Sequence, residues 1–256
     1  MRRSICFVVC WLIFHSLWGE FASEPMDEDA KIDVVLQAYV DSLGGRERLL
    51  TITSLEVEGT TTLESQGISV PTVQKLQAPD KAYTRQEFPA LGTITNRLNG
   101  NRGWEWHPIA GERPLVQAEV EEYLDDVDFQ RDLRLREDYV SVRLGLPEMI
   151  EGIETNHLIF TDDEGREEHW YFKQNGDLFQ KIHIVTSGPE SEFEATERYY
   201  ELIEEDGFRF PRRILYSNPA YQAELVITEL AINREIDPAL FELPAYAEEM
   251  ERLSSN

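Results

Sequence analysis

The feature that most constrains this chain is a series of short runs of alternating polarity, each closed by a turn signal. In "SLEVEGTTTLES", Leu55, Val57, Gly59, Thr61 and Leu63 fall on one face and Glu56, Glu58, Thr60 and Thr62 on the other. That period of two is what a strand with one wet face requires. The stretches that follow are punctuated by "APDKAY", "LNGNRG", "DDEGRE", "KQNGDL", "SGPESE", "EEDGFRFP" and "SNPAY", rich in the residues that supply tight-turn backbone angles. The count is about ten to twelve strands. Strands joined by such short connections pair antiparallel, because parallel neighbours need a crossover of roughly a dozen residues or more.

Two segments break this period. "IDVVLQAYVDSLGG" places Ile32, Val35, Leu36, Tyr39, Val40 and Leu43 on one helical stripe, and Gly44 and Gly45 end it. From Leu115 to Glu137 there is no Gly or Pro, and Val116, Val120, Tyr123, Leu124 and Val127 recur at helical spacing. One or two helices are therefore expected after the fifth strand. The fold class is α+β and mainly β, with an N-terminal helix and an inserted helical segment covering one face of a strongly curved antiparallel sheet.

The chain's ends set its expected compartment. Arg2 and Arg3, an apolar run from Ile5 to Trp18 and then small residues read as a secretory signal peptide over residues 1–23. The run is short for a membrane span, which takes roughly 20 residues. Cys6 and Cys10, the two cysteines of the chain, fall inside it, so the exported product would fold without a disulfide. Residues 24–247 are expected to form one domain, followed by a polar tail, 248–256. The formal charge is −25, and losing Arg2, Arg3 and Glu20, a net +1, makes it −26. Such a surface repels nucleic-acid phosphate and anionic headgroups, so neither nucleic acid nor stable membrane insertion is expected.

The order of the landmarks is more specific than any one of them. "VLQAYVDSLGGRERLLTITSLEVEGT" is followed by "APDKAYTRQEF", "NGNRGWEWHP", "DFQRDL", "IEGIETNHLIFTDDEGREEHWYFKQNGDLFQKIHI", "YYELIEEDGFRFPRRI" and "NREIDPALFELP". This succession resembles the periplasmic proteins related to LolA and LolB, the outer-membrane lipoprotein-sorting carriers, over nearly all of the mature chain. The resemblance implies a half-open barrel whose concave side is apolar and lidded by helices. It also implies a periplasmic monomer that binds lipid or acylated lipoprotein cargo and meets envelope proteins for loading and release. The alternative is an envelope interaction or stress-sensing module of the same fold, with a filled core and no lipid cargo. No cargo or latch residue of the family maps onto a position of this chain.

The residues themselves point away from catalysis. There is no Gly-x-Ser-x-Gly elbow, no mature cysteine and no phosphate-cradling glycine loop, so no enzyme activity, catalytic residue or cofactor is expected. His107, His157, His169 and His183 lack metal-ligand spacing. Only cross-strand convergence of His169, His183 and a carboxylate would make a metal site, and surface histidines are the plainer reading. Apolar binding remains. Leu55, Val57 and Leu63 form one candidate inward row. Trp104 and Trp106 form a second, and Trp170 and Phe172 a third. Tyr123, Leu124, Val127, Phe129 and Leu133 of the helical segment face them. An ordinary filled core is the competing account of each of these side chains.

Overall fold

The computed structural model describes residues 26–186 and 192–247. The expected signal peptide and polar tail lie outside them. Helix α1 (Glu28–Ser42) opens with Glu28 and Asp29 in its first turn, where carboxylates complement the helix dipole. It buries Ile32, Val35, Tyr39 and Val40. It stops at Gly44, whose φ is 116° and where a Cβ would lie 2.1 Å from the Gly207 carbonyl oxygen, so only glycine fits. One further turn, α2 (Arg46–Leu49), leads into the sheet.

Six strands then run as a meander: β1 (Ser54–Leu63), β2 (Ile68–Gln77), β3 (Lys81–Phe88), β4 (Gly92–Asn99), β5 (Arg102–His107) and β6 (Gly111–Pro114). The insert follows as α3 (Gln117–Val127), a 3-10 turn at Arg131–Leu133 and α4 (Leu135–Asp138). It comes after the sixth strand rather than the fifth. The second meander is β7 (Ser141–Leu144), β8 (Glu148–Ile150), β9 (Ile153–Thr161), β10 (Glu167–Lys173), β11 (Leu178–Thr186), β12 (Glu192–Glu205), β13 (Phe208–Ser217) and β14 (Gln222–Ile232). Fourteen strands exceed the ten to twelve expected, because β6, β7 and β8 are only four, four and three residues long and carry no readable alternation.

All fourteen belong to one antiparallel sheet, ordered β6-β5-β4-β3-β2-β1-β14-β13-β12-β11-β10-β9-β7, with β8 also on β9. The last strand pairs with the first, Leu55 opposite Ile232 and Leu63 opposite Ala223, which joins the meanders. Strands β6 and β7 remain edges, so the barrel is half open. Irregularities bend it: the register shifts at Glu58/Gly59, and Glu201 of β12 has φ 51° between the pairs Tyr200–Arg213 and Leu202–Pro211. A Cβ on Gly59 would lie 2.4 Å from the Val226 carbonyl oxygen, so the close approach of β14 requires a glycine there.

The helices fill much of the concave face. Leu55, Val57, Leu76, Ala82, Leu98, Ile227, Leu230 and Ile232 pack with Val40 of α1 and Val120 and Val127 of α3. Leu158, Phe160, Trp170 and Phe172 pack with Ile32, Val35 and Tyr39 of α1, Leu135 of α4 and Tyr139. On the convex face, the segment after β14 packs Ile236 and Phe241 against Tyr83. Arg97 and Asn99 of β4 donate there to the carbonyls of Glu242 and Phe241.

Candidate functional site

Where the helical cover ends, the concave face is left open. Beyond it lies a cavity of about 440 Å³, between the inner faces of β1 to β3 and of β12 to β14. Its position follows from strand parity. On β1, Leu55 and Val57 lie under the helices, while Thr61 and Leu63 continue the same row into the cavity. Across β14, Ala223 and Leu225 do the same beyond Ile227. Val70 of β2, Phe88 of β3 and Ile214 of β13 complete an apolar wall, and Tyr216 and Tyr221 stand at its rim with their rings 5.4 Å apart.

One ionised side chain, Glu197 of β12, lines this cavity among the described residues. Its Oε1 lies 2.8 Å from His183 Nε2, and its Oε2 accepts a 2.6 Å hydrogen bond from the Tyr199 hydroxyl. Burial alone would raise its pKa, but His183, Lys181 and Tyr199 outweigh that and bring it to about 2. A polar belt extends from it across the concave face. Lys181 Nζ lies 3.3 Å from Glu168 Oε2, which also accepts from Trp170 Nε1 at 2.8 Å. Arg131 reaches Asp125 at 3.1 Å and the Tyr139 hydroxyl at 3.1 Å, and the Tyr39 hydroxyl donates to Asp132 at 3.2 Å. Asp126, at the end of α3, touches solvent in the groove. Its carboxylate is exposed at the helix end, and the desolvating walls of the concavity around it, with the facing charge of Glu197, push its pKa up to about 7.

A second arrangement holds the lid. Arg113 of β6 donates to both oxygens of Glu105 on β5, at 3.0 and 3.2 Å, and to both oxygens of Glu119 on α3, at 2.7 and 2.8 Å. Glu119 also accepts from the Val116 backbone N–H at 2.9 Å. The fork of the guanidinium thus ties the start of α3 to the sheet.

Of the candidate lining residues taken from the sequence, Leu63 alone lines the cavity. Leu55 and Val57 of the sheet and Val127 of α3 are core between sheet and helix, with Tyr123, Leu124, Phe129 and Leu133 partly buried against them. Trp170 and Phe172 pack on Tyr39 of α1, at ring distances of 6.2 and 5.3 Å. The structure places Trp104 and Trp106 on the convex face. Leu98 and its partner Gly103 face inward, where Gly103 makes room for Leu115, so Arg97 and its partner Trp104 face out. There Tyr246 covers Trp104, leaving it 3% exposed, whereas Trp106 lies beyond that cover at 44%. The strand alternation was legible, but parity alone does not say which face is concave. The lining residues passed over, Val70, Phe88, Ile214 and Leu225, sit in the same period-two runs and share their strands' inner parity.

The histidines divide between the faces. His169 lies on the convex side, with its Nδ1 3.0 Å from His157 Nε2, whereas His183 faces inward onto Glu197. Among the described residues no group of three or more histidines and carboxylates is arranged to hold a metal ion, and no helix is long and apolar enough to cross a membrane.

No protein-family model matches the chain, and no curated protein matches it in sequence. Solved structures do match. A DUF1329 family protein from Desulfovibrio piger aligns with a TM-score of 0.56 at 13% identity, over 82% of this chain and 97% of that one. A LolA superfamily protein from Nitrosomonas europaea gives 0.53 at 14%, over 82% and 97%. A domain described among the outer membrane lipoprotein-sorting proteins, from Vibrio parahaemolyticus, gives 0.52 at 10%, over 74% and 89%. At these identities the likeness is one of fold, and the fold is LolA-like.

Proposed function

We propose that this protein is a carrier or binder of lipid or lipidated protein in the cell envelope, and that it holds an acyl chain in the cavity beside Glu197. The observation that carries this reading is the apolar, half-open cavity of about 440 Å³ on the concave face. A cavity of that size falls within the range of about 300–1,000 Å³ typical of small-molecule sites. Its apolar wall suits a hydrocarbon chain, whose burial contributes about 0.8 kcal/mol for each methylene. The LolA-like fold and the sorting-protein description carried by one structural neighbour support the same class. The proposed role is non-catalytic and periplasmic, performed by a monomer that exchanges cargo with envelope proteins.

The reading is tested by native mass spectrometry of the protein purified from its own envelope, followed by lipid extraction. A lipid or acylated peptide in near-stoichiometric amount is the expected result, and Ile214→Trp, which narrows the cavity, should carry less of it while still folding. Protein that carries no lipid and takes up none when offered would overturn the reading. A second reading, an interaction module with a filled core, draws on the close packing of α1, α3 and α4 over the rest of the concave face.

A further inference from the structure

Volume and wall charge narrow what the cavity would accept. We infer that it takes a single-chain cationic amphiphile, a long-chain amine, with its tail along Leu63, Val70, Ile214 and Leu225 and its head at Glu197. The inference rests on the proposed reading of this cavity as an acyl-chain site and names the ligand class within it.

Size comes first. At about 30 Å³ for each water-sized group, a cavity of about 440 Å³ holds about fifteen such groups. One chain of about fourteen carbons and a small head fill it. The two or three chains of a diacyl or triacyl anchor could not all be enclosed there at once. Each methylene entering the apolar wall should tighten binding about fourfold, and the gain should stop once the wall is used up.

The head follows from charge. Glu197 is the one ionised side chain on the described lining, and no cationic side chain lines the cavity with it. A carboxylate offers about four acceptor positions, and His183 and Tyr199 use two, so further donors can be accepted. The nearest ammonium, Lys181, is engaged by Glu168. Asp125 is held by Arg131, and Asp126 at the end of α3 adds negative charge only as pH rises through about 7. An ammonium head would therefore meet a charge-assisted acceptor. A fatty-acid carboxylate would meet like charge in a partly desolvated setting.

The test is calorimetry on delipidated full-length mature protein, with each ligand below its micelle concentration. The probes are tetradecylamine, tetradecanoate, tetradecyl glucoside, amines of increasing chain length and a triacylated lipopeptide. The amine should bind about tenfold or more tightly than the carboxylate of equal length, with affinity levelling off near about fourteen carbons. In Glu197→Gln the amine preference should vanish while the glucoside still binds. Should that variant fail to fold, the headgroup and chain-length series on the wild type decides alone. Equal or tighter binding of tetradecanoate, or a lipopeptide that outbinds every single-chain ligand, overturns this inference and leaves the acyl-chain reading standing. Binding of none of these ligands overturns both.

Discussion

Asp126 is the place where the geometry makes a clear demand on stability. It lies in the last turn of α3, which holds no basic side chain, so its charge sits at the negative end of the helix dipole. Asp126 is exposed, and partial desolvation by the walls of the concavity raises its pKa first. Glu197 across the groove and Asp125 and Glu122 on its own helix raise it further, and Lys181 of β11 pulls the other way, leaving it at about 7. An aspartate in the unfolded chain titrates near about 3.9. Between those values the folded protein binds more protons than the unfolded chain, so stability falls as pH rises. The penalty is absent below about pH 4 and complete above about pH 7. A shift of about three units corresponds to about 4 kcal/mol. Solvent reaches Asp126 in the groove, and screening reduces this to about 1 kcal/mol. Asp126→Asn keeps the side-chain shape and cannot ionise. Urea denaturation should therefore find it about 1 kcal/mol more stable than the parent at about pH 8 and equal to it at about pH 4. A gain of the same size at both pH values would refute the electrostatic cause, and no gain at the higher pH would refute the argument altogether.

Three further outcomes follow from the same geometry. Glu197 is brought to about 2 in the fold, so it contributes stability above its unfolded pKa and loses it as pH falls through about 2; Glu197→Gln should cost about 2 kcal/mol near neutral pH and only a small part of that at about pH 2, read by denaturation at both. Arg113→Met leaves Glu105 and Glu119 facing each other without their shared cation and should cost about 2 kcal/mol, seen as a melting-temperature drop of about 4–8 °C. Pairing it with Glu119→Gln should recover much of that loss; additive losses would count against the clamp. Trp104→Ala should cost about 3 kcal/mol by emptying the space under Tyr246 yet leave amphiphile affinity unchanged, whereas lost affinity in a folded variant would place Trp104 at the cavity after all.

The amphipathic elements were legible because periodicity reports which side chains share a face. The α1 stripe, the Gly44 stop, the hairpin at "NGNRG" and the inner row from Leu55 to Leu63 all appear where their patterns place them. What periodicity cannot report is what covers each face. Trp104 and Trp106 alternate with Glu105 as a strand requires, and an apolar pair of that kind normally turns toward the core. Here the segment ending near Tyr246 crosses the convex side and buries Trp104 from outside. The inner position opposite, Gly103, is left small because Leu115 fills it. The location of the cavity was hidden for a related reason. It depends on how far α1 and α3 extend over the sheet, and residues beyond their reach, such as Ile214 and Leu225, look in sequence like any other core strand position.

The belt of charge on the concave face bears on why part of that face stays open. A purely apolar surface there would give a more stable core, since buried ion pairs recover their desolvation cost only with good geometry and further hydrogen bonds. The belt meets that condition by linking Lys181 to Glu168, His183 and Tyr199 to Glu197, and Arg131 to Asp125 and Tyr139. These groups can remain hydrated beside an empty cavity, so the open state does not require the sheet to collapse onto the helices. A LolA-like sheet whose mouth is walled by Leu63, Val70 and Ile214 and backed by a hydrogen-bonded carboxylate can therefore persist without cargo. In the role proposed for it, a chain would enter by displacing water along the apolar wall while the polar belt keeps its own partners.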